Sequence, residues 1–229
     1  MKSLIFDTGP IISLTTNNLL WILEPLKEKF AGKFYITEAV KRELIDGPIY
    51  IKRFKFEAIQ VQRLIDVGVL EVISANYAKE DTLRLLKLSN SIFRAFNHDM
   101  TIVHHAEMSV IAAALEMEAD AVVIDEKTTR FLIEDPKTVI DILKKSLHTS
   151  IAVNESNLKE FNKSVTGTNI IRSVELAALA YEMGFLNDLI TKIQNPEKNL
   201  LESILWGVKL NGCAVSEDEI NQIIDTELK

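Results

Sequence analysis

Residues 104 to 130 read HHAEMSVIAAALEMEADAVVIDEKTTR, and their pattern decides the fold. A block of apolar and small residues with helical spacing ends at Ala119-Asp120; the four apolar residues AVVI follow, and Asp125 opens a loop. The AVVI run is too short for a helix and lacks the polar alternation of a half-exposed strand. It therefore predicts a strand buried on both faces, as in a parallel sheet covered by helices.

The same grammar extends in both directions. LIF at 4 to 6 is a short strand closed by Asp7 and the breaker pair Gly9-Pro10, after which IISLTTNNLLWILEPL has helical spacing. KFYI at 33 to 36 predicts a second strand, and Thr37 a cap for the helix EAVKREL, which stops before Gly47-Pro48. A helix over 50 to 67 ends at Gly68, VLEVI at 69 to 73 is a third strand, and a charged helix follows over 79 to 96. Alternation of this kind predicts an α/β fold of three layers: a central, mainly parallel sheet with helices on both faces and right-handed crossovers. Beyond residue 146 the only strand signal is SIAV; helices are expected over 155 to 163, 169 to 184, 197 to 211 and 216 to 228, the last with Ser216 and Glu219 as a capping box. The expected organisation is a sheet domain over 1 to 146 and a helical extension over 147 to 229 packed on it, because no linker-like tract separates them. Truncation after residue 146 should then expose apolar helix faces.

Composition narrows the function. The 229 residues suffice for a sizeable core, and 47% hydrophobic with 26% charged residues is ordinary for a globular chain. No apolar run approaches the ~20 residues that cross a bilayer, and the apolar stretch in MKSLIFDTGP is too short for a signal peptide, so a cytoplasmic protein without membrane contact is expected. Cys213 is the only cysteine, which excludes an intrachain disulfide and a cysteine zinc cage. A net charge of −7 argues against holding nucleic acid by bulk positive charge. Such a substrate would need metal ions or a local basic patch.

Four acids share one place in this topology. Asp7 and Asp125 each follow the last residue of a strand, so both lie at the carboxyl edge of a parallel sheet. Glu43 lies in the first turns of the helix leaving the second strand, and Glu107 lies at the start of a helix running antiparallel to the strand it feeds. Gaps of 36, 64 and 18 residues separate them, so only the fold can gather them. Converging carboxylates without basic partners repel one another, and oxygen-ligated hard cations relieve this; Mg²⁺ or Mn²⁺ fits better than zinc. The chemistry that follows is phosphodiester hydrolysis.

FDTGPIISL, ITEAVKREL and the 104 to 130 stretch, with the spacing between them, resemble a PIN domain over roughly residues 1 to 135. The resemblance implies Asp7, Glu43, Glu107 and Asp125 as the four acids of a Mg²⁺ or Mn²⁺ site that cleaves single-stranded RNA. It further implies Thr8 as a ligand-orienting hydroxyl, Glu126 as a reserve carboxylate and a homodimer by analogy. VELAALAYEMGFL and WGVKLNGCAVSEDEI look like the C-terminal part of a longer PIN subgroup. Short toxin members lack such a tail.

In YIKRFKF, Lys52, Arg53 and Lys55 alternate with rings that stack on bases, or else form a solvated helix face. Arg130 is near enough to the rim to meet a phosphate, or else is an ordinary surface arginine. His104 and His105 lack the HExxH spacing and are left outside the metal site. A dehalogenase-type phosphatase would need an aspartate where Gly9 stands, and no GxGxxG or P-loop follows a strand. The rival reading is a silent PIN-like scaffold that binds RNA or a protein partner.

Overall fold

A computed structural model describes residues 2 to 228. Its centre is a five-stranded, wholly parallel sheet in the order β3-β2-β1-β6-β8. The strands are β1 (Ser3–Phe6), β2 (Lys33–Thr37), β3 (Leu70–Ile73), β6 (Ala121–Val123) and β8 (Ile170–Ile171). All four residues of β1 are buried, as expected for a strand covered on both faces. Phe6 packs against Phe34 with ring centroids 5.1 Å apart.

Helices fill both layers. α1 (Thr8–Thr16) leaves β1, and α2 (Leu23–Phe30) returns to β2. α3 (Glu38–Lys41) starts at Thr37, whose hydroxyl accepts the Val40 N–H, and runs on as a π-helical turn over Arg42–Asp46. α4 (Lys55–Asp66), α5 (Lys79–Ser89) and α6 (His105–Met117) follow. Ala112, Ala113 and Ala114 of α6 are buried, so small side chains let this helix lie close to the sheet.

The sequence expectation differs from the structure in three places. The helix expected over 50 to 67 begins only at Lys55; Tyr50 to Phe54 form a 3₁₀ turn and bends. The charged helix stops at Ser89, and β4 (Phe93–Ala95) pairs antiparallel with β5 (His98–Asp99) and with β7 (Ala152–Val153) in a small second sheet. The third difference is β8. A helix was expected from 169, but Ile170–Ile171 pair with β6, two residues being too short to show a strand period.

Residues beyond 146 are thus woven into the main sheet. After α7 (Lys127–Glu134), α8 (Pro136–Leu147) and α9 (Glu155–Ser164), β8 leads into α10 (Ser173–Glu182), α11 (Pro196–Leu210) and α12 (Glu217–Glu227). α10 and α11 pack on α1. At the α11 crossing a Cβ added to Gly207 would collide with Asn17, so glycine allows the approach. Ser216 and Glu219 form the capping box of α12. No helix of the described residues is long and apolar enough to cross a membrane.

Candidate metal centre

Asp7 takes up the turn from β1 to α1, its own N–H donating to Val123 O at 2.9 Å, so the ends of β1 and β6 are locked together. Its carboxylate is 4% exposed, and Oδ1 is buried with no hydrogen-bond partner. Burial, and then the charges of Glu107 and Glu43, push the Asp7 carboxyl up to about 7 against the pull of the Thr8 and Gly9 amides. Asp7 lacks what a buried carboxylate needs.

Glu107 stands in the first turn of α6. Its Oε2 accepts the His104 N–H at 2.5 Å, so the carboxylate caps its own helix. Burial raises it to about 7, the His104 amide working against this and the Glu126 and Glu43 charges adding to it. The buried Thr129 hydroxyl lies beside it without a bond of full geometry, yet close enough to help hold the Glu107 carboxyl down against burial.

Glu43 lies in the π-helical turn after α3 and is exposed. Thr8 Oγ1 donates to its Oε2 at 2.6 Å, which brings the second acid beside the turn that holds the first. Thr8 therefore orients an acid directly. Single π-turns recur at functional sites because they re-aim a side chain within a helix.

Asp125 closes β6, two residues past its last strand position, and is 2% exposed. An ideal Cβ on Gly9 would lie 3.4 Å from the Asp125 Cβ and 3.9 Å from Asp7 Oδ2, so Gly9 is the spacer between the two aspartates. Both Asp125 oxygens are engaged: Oδ1 accepts the Ser173 N–H at 2.8 Å and Oδ2 the Ser173 hydroxyl at 2.6 Å. The Cys213 thiol sits against this pair and is pushed up to about 12 by burial and by Asp125, so it stays neutral.

Glu126 accepts the Thr129 N–H as the cap of α7, though its charge reaches Glu107. Arg130 lies over the Phe131 ring at 4.5 Å, with its Nε 3.8 Å from Glu134 and without a hydrogen-bond partner. Lys52, Arg53 and Lys55 are exposed, and Arg53 stacks on Phe54. Arg53 also lines a groove of about 560 Å³ shared with Ile12, Ile51, Phe54 and Glu43. His105 lines a separate cleft with Arg42 and Lys79.

Among the described residues none of the four acids has an ion-pair partner. Nor are three His, Cys, Asp or Glu side chains gathered closely enough to hold a metal as they stand. The donor set is nevertheless all oxygen, which suits a hard divalent cation, and Asp7 Oδ1 supplies an unmet polar demand that such an ion or its water shell satisfies. Sequence reasoning missed Thr129, one turn into α7, and Ser173, which no local signal ties to Asp125.

No curated protein matches the chain. A family model described as "DUF3368: PIN domain" matches residues 3 to 134, which is more than half of the chain and spans all four acids. The chain belongs to the PIN-domain family.

Proposed function

We propose that the protein is a metal-dependent endoribonuclease that hydrolyses phosphodiester bonds of single-stranded RNA, with Asp7, Glu43, Glu107 and Asp125 holding Mg²⁺ or Mn²⁺. PIN domains are generally nucleases that use divalent metals, which supports the class of reaction. The observation that carries the reading is Asp7 Oδ1: a buried carboxylate oxygen without a partner, beside two further acids and no cation. A structural aspartate would have found a donor.

When bound, such an ion neutralises the scissile phosphate and lowers the pKa of a coordinated water. The chain's own part is positional. Asp7 and Glu107 must give up protons that burial favours, and Glu43 must turn inward from Thr8. This reading assigns phosphate contact to Arg53, which shares a groove with Glu43 and Phe54, and base stacking to the exposed rings of Phe54 and Tyr50.

The rival reading, a PIN scaffold that binds RNA or a protein partner without cutting, draws on the ungathered state of the acids. One assay separates them. Incubation with a single-stranded RNA pool and Mn²⁺ should give cleavage that EDTA stops; intact RNA under all divalent ions would favour the scaffold, and cleavage persisting in EDTA would refute the metal mechanism.

A further inference from the structure

The family match ends at residue 134, yet the carboxylate of Asp125 is held by a residue 48 positions further on. Ser173 is fully buried and is the first residue of α10. Its N–H and its hydroxyl take one Asp125 oxygen each, at 2.8 and 2.6 Å. Two donors from one residue fix both the position and the rotation of a carboxylate. About four acceptor directions exist on a carboxylate, and with the Cys213 thiol also against this one at least one remains for a further ligand.

The hold is part of a closed circuit. The Asp125 carbonyl accepts the Ala214 N–H at 3.1 Å, and the Ala214 carbonyl accepts from Arg172 at 2.8 Å. Arg172 is bonded to Ser173, which returns to the Asp125 side chain. Arg172 itself is 8% exposed and is clamped between Glu175 and Glu219, the latter at 2.9 Å. Burial would raise Glu219, but the Ser216 donors and Arg172 hold it down at about 2, so the clamp stays charged at neutral pH. Two separate pieces of the extension thus converge on one residue of the matched domain, and a third, α12, braces them through Arg172.

Resting on the metal-centre reading above, we propose that Ser173 is a positioning residue of that centre: it sets the Asp125 carboxylate beside Asp7, and the C-terminal extension thereby completes the site. Outer partners that orient metal-binding groups commonly contribute about 10- to 100-fold in affinity or activity. An extension that merely covered the sheet would need no such contact.

The test titrates Mn²⁺ into the full chain by calorimetry without RNA, and measures RNA cleavage below the melting temperature of every variant. Ser173→Ala should weaken Mn²⁺ binding about 10- to 100-fold and lower kcat while leaving KM for RNA near that of the parent. Ser173→Thr, which retains both donors, should bind Mn²⁺ as the parent does. Should Ser173→Ala fail to fold, Ser173→Cys, similar in shape with a weaker donor, should show the same loss. Parent-like Mn²⁺ affinity in the Ala or Cys variant would overturn the inference and leave the metal centre standing. A parent that binds no Mn²⁺ would remove both.

Discussion

Asp7 and Asp125 close neighbouring strands of one sheet and are equally hidden from solvent, at 4% and 2% exposure. Their chemistry is opposite. Asp125 has both oxygens satisfied by Ser173, whereas Asp7 keeps one oxygen orphaned and faces the charges of Glu107 and Glu43. Burial alone therefore does not separate the two acids; what separates them is whether the chain has compensated it. Asp125 is an acid of the centre that the chain itself holds in place, and Asp7 is strain retained for a ligand.

The largest effect should come from removing everything that satisfies Asp125. Truncation after residue 146 deletes β8, Ser173 and α10 to α12, which opens the β6 edge and uncovers the α1 face. The fragment is expected to aggregate, as judged by size-exclusion chromatography. A soluble fragment with a cooperative melt would show that the extension is dispensable for the fold and would erase the distinction between the two aspartates.

Next come the amide substitutions, which the sequence alone would treat alike. Asp7→Asn should cost at least about 100-fold in RNA cleavage while melting in EDTA at or above the parent temperature, because it removes an uncompensated buried charge. Asp125→Asn offers Ser173 only one acceptor. It should lose about 1–3 kcal/mol, or several degrees of melting temperature in a chain of this size. Equal melting of the two variants would break the comparison.

A smaller effect follows from protonation. Unfolded, Asp7 and Glu107 titrate near 3.8 and 4.5, and folded near 7, so between these values the native state binds more protons than the unfolded one. Stability of the metal-free protein is then full below about 4 and declines as pH rises toward about 7. Asp7→Asn should flatten this decline. Glu219 acts in another window: lowered to about 2, its contribution is present above 4.5 and is lost as pH falls through 2. With Mn²⁺ the slope between pH 5 and 7 should reverse, roughly as protons compete with the ion. Thermal melts at fixed ionic strength read all three.

The parallel core was legible because each strand is an apolar run with a breaker or an acid at its end, a signal carried within a few residues. The rim position of Asp7, Glu43, Glu107 and Asp125 followed from topology for the same reason. What the sequence hid was the state of each acid. Ser173 lies 48 residues from Asp125, inside what reads as a continuous helix, and β8 is too short to carry a period. The packing of Arg130 on Phe131 was hidden for a related reason: proximity in sequence to the rim says nothing about which ring a side chain lies over.

Mn²⁺ binding to the parent and to Asp7→Asn, measured by calorimetry at pH 7.5 or so without RNA, tests the metal centre most directly. The parent should bind in a saturable transition that also raises its melting temperature by mass action, and Asp7→Asn should show little of either. Equal binding by both proteins, or none by the parent, would contradict the assignment of Asp7 as the residue around which the centre is built.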